Sequence, residues 1–208
     1  MVRRHVLPTL LTAVAIATVA GAAAGVNAQS ARPLALNAAR ITIAGTSNIH
    51  EFTASTTAVR VTRVAVSGAA AGASFWENLV KPGALEAFEV AVPAAQLSSP
   101  KEGLDKNMHK ALKVTEHPDI TFRLTALEPG ANAGALKARG VLKIAGVERD
   151  VVLDLTTERH DANLTVKGKV TLLMTDYGIK PPTAMLGMLK TDPKVTVTFE
   201  TVLAVPLT

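Results

Sequence analysis

From Ile41 onward, apolar and polar side chains alternate along most of the chain with a period of two. Ile41 and Ile43 alternate with Thr42 and Ala44, and Phe52, Ala54, Thr56 and Ala58 share one face. That segment runs on through Val59, Val61, Val64 and Val66 with a change of phase that predicts a kink. The same alternation recurs at Phe88–Val92, Ile120–Leu124, Leu136–Ile144, Val151–Leu155, Leu164–Met174 and Val195–Leu203. A period of two with β-branched residues on the apolar face is the signature of a strand with one side buried. Glu128–Asn132, Ala145–Val147 and Arg159–Asn163 are turn-forming clusters between these runs, so neighbouring strands pair antiparallel.

One segment breaks the alternation. Leu104, Met108, Ala111 and Leu112 stand at i, i+4, i+7 and i+8, the spacing of one apolar stripe on a helix of about Lys101–Lys113. Ser99-Pro100 supplies a cap-like residue and a starting proline, and Pro118 enforces extended backbone after the exit. Asp105, Lys106, His109 and Lys110 are expected to face away into solvent.

About eight strands suffice to close an up-and-down barrel, so the fold class is all-β: an eight-stranded antiparallel barrel with a short helix between strands. A seven-stranded sandwich has no natural use for the mid-chain helix. Two connections, Ser67–Leu85 and Tyr177–Pro193, are long and apolar, and each fits a plug of one barrel end as well as a lid that contacts a ligand. Inward positions are mostly Val, Ala, Leu, Ile and Thr, with one Trp, one Tyr and five Phe in the whole chain. Such small side chains favour an apolar cavity over a solid core. Inward phase selects Phe52, Phe88, Val90, Phe122, Leu142, Val166 and Phe199, with Leu104 and Met108 from the helix, as lumen candidates; ordinary core packing accounts for each equally well. Burying about 500 Å² of a long apolar ligand would contribute roughly 12 kcal/mol before association costs, enough to hold a lipid without a polar anchor.

The first 28 residues lie outside this pattern. Arg3 and Arg4 precede an apolar, Ala-rich run from Leu7 to Val26, and Val26-Asn27-Ala28 fits a small-residue cleavage site. These are the parts of a secretory signal peptide, which places the mature protein in the periplasm or outside the cell. The competing reading is an uncleaved anchor, since the run is about long enough to span a bilayer. Residues 29–38 read as a flexible tail and 39–208 as the barrel. There is no cysteine, hence no disulfide, thiolate site or acylated N-terminal Cys. The net charge of +5 is scattered and partly carried by the leader, and aromatic residues are few, so nucleic acid is not an expected partner.

The search for reacting groups yields little. Asp105 and His109 have metal-pair spacing without a third ligand, and His50-Glu51 has no nucleophile beside it. No catalytic residue, metal site or cofactor is therefore expected. An enzyme acting on a lipid or quinone would have to rest on His50, Glu51 and His109.

Four stretches carry a family resemblance. GTSNIHEFTA (Gly45–Ala54), LDKNMHKALKVTEHPDITF (Leu104–Phe122), LKIAGVERDVVL (Leu142–Leu153) and KVTVTFE (Lys194–Glu200) resemble, in order and spacing, the YceI family of exported, lipocalin-like polyisoprenoid-binding proteins. The resemblance implies a barrel holding a long-chain isoprenoid or acyl lipid in its lumen, for transport or storage. It brings no catalytic residues, and it is compatible with transient membrane contact and with a dimer. A solidly packed barrel serving interaction or stress response, without ligand, is the alternative.

Overall fold

The computed structural model describes residues 34–68, 74–184, 186 and 188–205. The signal peptide expected over residues 1–28 lies outside them. Nine strands form one antiparallel path. In chain order they are β1 (Ala35–Ser47), β2 (Glu51–Thr56), β3 (Arg60–Val66), β4 (Leu85–Pro93), β5 (Asp119–Pro129), β6 (Ala135–Ile144), β7 (Val147–His160), β8 (Asn163–Leu173) and β10 (Leu189–Ala204). A two-residue strand, β9 (Thr183–Ala184), pairs with the start of β10. The helices are α1 (Phe75–Leu79) and α2 (Glu102–Leu112).

The order across the sheet is β2-β1-β10-β8-β7-β6-β5-β4-β3. Its two edge strands, β2 and β3, follow each other in sequence and are joined by residues 57–59. They are the two halves of the kinked strand that the change of phase after Ala58 indicates. Counted as one, they make an eight-stranded barrel whose ring is closed by the chain itself. Two backbone hydrogen bonds complete the closure, from the Ser55 N–H to the Ser98 carbonyl at 2.8 Å and from the Ser98 N–H to the Ser55 carbonyl at 3.0 Å. A register shift between Val61 and Arg63 absorbs the change of phase in β3.

Strand β1 begins at Ala35, so the boundary drawn at residue 39 is corrected: Ala35–Ala38 belong to the barrel wall. Asn and Ala at positions 37–39 hide the alternation there. Leu34 is nevertheless buried, and Leu36 packs beside it at the barrel end. The β6–β7 hairpin turns on Ala145 and Gly146, both at positive φ (48° and 85°), with Ile144 paired to Val147. This geometry is that of a tight primed turn, whose twist matches the flanking strands.

Among the described residues, six exposed ion pairs stitch the wall on its outer face, and a seventh joins it to α1. Arg63–Glu89, Lys137–Asp154, Lys143–Glu148 and Lys167–Glu200 join residues directly opposite on neighbouring strands. Each exposed pair contributes little alone, yet together they favour this register over its slips.

Candidate functional site

Two clusters of buried residues mark the two ends of the barrel. At the first end Phe75, Trp76 and Leu79 of α1 are buried with Leu34, Val66, Ala84 and Leu203. The Phe75 and Trp76 rings meet edge to face at 5.1 Å. Glu77, on the outer side of the same helix, reaches Arg159 near the end of β7 at 2.6 Å. The helix is thus attached through β3 and β4 on one side of the bore and ion-paired to β7 on another. The described part of the Ser67–Leu85 connection thus packs into this end of the barrel.

At the other end α2 lies over the barrel. Its stripe falls as the spacing predicts, and Leu104, Met108, Ala111 and Leu112 all line a cavity beneath it. The charged face is a correction. Asp105 and His109 do not point into solvent but pin α2 to the segment that precedes it. Asp105 Oδ1 accepts the Ser99 N–H at 2.7 Å, and His109 Nε2 lies 2.8 Å from the Leu97 carbonyl. The cause is that residues 97–99 double back alongside the helix to pair with β2, an approach that local spacing does not encode. Ser99 is likewise not the cap. The cap position is Lys101, whose N–H donates to Ser99 Oγ two residues earlier. Lys113 ends the helix in the left-handed region (φ 53°), with the Val114 N–H donating to the His109 carbonyl.

Between the two ends the interior is hollow. An outer cavity of ≈ 500 Å³ lies under α2, and a deeper one of ≈ 240 Å³ runs toward α1. Five side chains, Ile43, Ile120, Ile144, Leu172 and Val197, belong to both linings and form a waist between the chambers. The chambers differ in chemistry. The outer one carries Ser47, His50, Glu51, Thr53, Lys101 and Asn107 among its lining residues. The deep one is apolar except for Thr121, Thr157 and Thr201.

Phe52, Leu104 and Met108 line the outer chamber, whereas Phe88, Val90, Phe122, Leu142, Val166 and Phe199 line the deep one. Sequence reasoning missed how the phenyl rings lie. Gly45 stands opposite Phe52 and Gly168 opposite Phe199 in the strand registers, while Gly140 lies diagonal to Phe122. A Cβ added at any of these glycines would overlap the facing ring. Three of the five phenylalanines are therefore laid against the wall over a neighbouring glycine, so they cover backbone instead of filling the bore. The signal was present in Gly45, Gly140 and Gly168, each standing on an inward-facing position of its strand.

His50 is exposed on the β1–β2 turn, where its carbonyl accepts from Ser47 Oγ at 2.8 Å. His109 is bound to backbone. Of the three residues on which an enzyme would rest, His50 and Glu51 line the outer chamber and His109 does not. Among the described residues, no three His, Asp or Glu gather to hold a metal ion. Tyr177, also lining the outer chamber, is 3% exposed. Burial first and the neighbouring Asp176 carboxylate second hold its hydroxyl pKa above the ordinary 10.0, with Arg149 partly offsetting them.

The rim of the outer chamber is apolar on its solvent side. Asn48 ties the β1–β2 turn to the later loop, its side chain donating to the Met188 carbonyl and accepting from the Lys190 N–H, both at 2.8 Å. The joined loops hold Ile49, Met188 and Leu186 in solvent, at 58% and 65% exposure for the first two and fully for the third. Leu186 takes a positive φ of 55° to do so, a conformation costly for a residue with a side chain. Leu173, also exposed, lines the same chamber. Among the described residues, one further large hydrophobic is comparably exposed, Val152. Met185 lies outside the described residues.

Comparison with known proteins agrees with this architecture. The YceI-like domain family matches residues 34–203. A search of curated proteins finds no match. Among solved structures, BcnA of Burkholderia cenocepacia is similar with a TM-score of 0.62 at 12% identity, over 79% of this chain and 95% of that one. A polyisoprenoid binding domain from Saccharophagus degradans, implicated in plant cell wall breakdown, gives a TM-score of 0.60 at 13% identity, over 83% and 98%. The Campylobacter jejuni YceI protein gives 0.53 at 16% identity, over 72% and 82%. At such identities these likenesses carry the fold alone. With the family match spanning nearly the whole barrel, the chain belongs to the YceI family.

Proposed function

We propose that this protein is an exported carrier of a single long-chain amphiphile, isoprenoid-like or acyl, and not an enzyme. The observation that carries the reading is the lumen: two apolar chambers of ≈ 500 and ≈ 240 Å³ joined at a waist, inside a wall whose phenyl rings lie flat. Cavities of this size and chemistry are the usual form of a small-ligand site. A solidly packed interaction barrel would have no reason to keep them open, because unfilled apolar space costs stability. The leader-like first 28 residues support export to the periplasm.

Loading requires a route from a lipid phase into the outer chamber. Ile49, Leu173, Leu186 and Met188 stand around that chamber, beside Lys180, Lys190 and Lys194, which make no ion pair among the described residues. An apolar rim flanked by cations suits transient contact with an anionic lipid surface. The decisive experiment purifies the protein from its native host, extracts it with organic solvent and identifies the extract by mass spectrometry. A stoichiometric prenyl or acyl lipid is the expected result. Repeated recovery of empty protein that also fails to bind prenol and fatty acid probes would sink the reading.

A further inference from the structure

We infer that α1 is a length stop: the lumen takes a chain tail first, head under α2, and the tail ends against Leu79 and Val80. This rests on the lipid-carrier reading and adds direction and a limit to it. Three observations carry it. The polar lining is confined to the outer chamber, whose Ser47, His50, Glu51, Thr53, Lys101 and Asn107 can hydrate or bond a head group, whereas the deep chamber offers three threonines among more than two dozen apolar side chains. A head group placed there would lose its hydration without enough partners to replace it. Leu79 and Val80 line the deep chamber directly, backed by the buried Phe75 and Trp76. Finally, the Glu77–Arg159 pair fastens α1 across the bore, so a longer tail must break that pair as well as displace the aromatic cluster.

The chambers set the limit. At roughly 30 Å³ for each water-sized group, ≈ 240 Å³ holds about 8 carbon-sized groups and ≈ 500 Å³ about 17. Within the long-chain class, the ligand is therefore one of about the size of farnesol, geranylgeraniol or a common fatty acid. A polyprenol much longer than these exceeds the two chambers while α1 stays in place.

The single tryptophan makes the inference testable without mutation, because Trp76 lies at the closed end, 7% exposed. Two hexadecanoic acids serve as probes, one brominated on its terminal carbon and one on the carbon next to the carboxyl, with binding measured separately by native mass spectrometry. The tail-labelled acid is expected to quench Trp76 fluorescence and the head-labelled acid to leave it unchanged. Equal quenching by both, or quenching by the head-labelled acid alone, overturns the direction. In a prenol series, geranylgeraniol is expected to bind about tenfold or more tighter than solanesol. Solanesol binding as tightly as geranylgeraniol overturns the stop. Leu79→Ala is expected to raise solanesol affinity toward that of geranylgeraniol. Glu77→Gln, which leaves the apolar packing intact, is expected to do so in smaller measure if the Leu79 variant does not fold. An unchanged preference in every folded variant overturns the role of α1. If no prenol or fatty acid binds the wild-type protein, the carrier reading falls and the stop falls with it.

Discussion

Gly45, Gly140 and Gly168 show what a residue with no side chain does in this wall. Each leaves room for a phenyl ring to lie on backbone, and a methyl group in that room forces the ring off. Gly168→Ala is expected to lower stability by about 1–3 kcal/mol, the usual cost of overpacking, measured by urea unfolding. Adding Phe199→Leu should recover part of the loss, because the overlapping atoms are gone. Strict additivity of the two substitutions would refute the pairing. Tyr177 gives a second prediction at this scale. Its hydroxyl pKa is raised on folding, so the folded state holds the proton more tightly. The associated stability is intact below pH 10.0 and is lost as pH rises above it. The melting temperature should fall less steeply above that pH in Tyr177→Phe than in the wild type. Identical pH dependence in both would show that Tyr177 does not contribute.

At the scale of elements, strands and helix were legible in the chain because their periods differ, and the period survives whatever the strands pair with. The phase change after Ala58 even gave the kink on which barrel closure depends. What was not legible is what depends on approach. The Asp105 and His109 partners lie on residues 97–99, whose path is set by pairing with β2, so spacing along α2 alone places both side chains in solvent. Strand β1 hides its beginning for a related reason: Asn37 and two alanines give no contrast between faces. The lumen candidates were legible only as inward positions, and phase could not say which chamber each would line. The pins predict local behaviour. His109→Ala is expected to speed hydrogen exchange of the α2 amides while those of β6 and β7 keep their protection, since one lost hydrogen bond of roughly 1 kcal/mol loosens the helix without unfolding the barrel. Uniformly faster exchange in helix and strands alike would show that the bond supports the whole fold.

For the whole molecule the notable property is asymmetry along the bore. One end is fastened by a buried aromatic cluster and an ion pair; the other is covered by a pinned helix and edged by exposed apolar loops. Replacing Ile49 and Met188 with Ser is expected to slow transfer of a fluorescent fatty acid from anionic vesicles by about tenfold, with little change in equilibrium affinity, because neither residue lines a chamber. An unchanged transfer rate would remove the rim from the loading route.

The closure of the ring has a mechanical consequence. All eight junctions between staves are ladders, but within the kinked stave, between the ladders that β2 and β3 make outward, the hoop is held by residues 57–59 and by the Ser55–Ser98 pair of bonds. Two such bonds are worth roughly 2 kcal/mol net. Swelling of the barrel around a bulky cargo would concentrate its strain at this seam, as a hooped cask gives first where one stave is split.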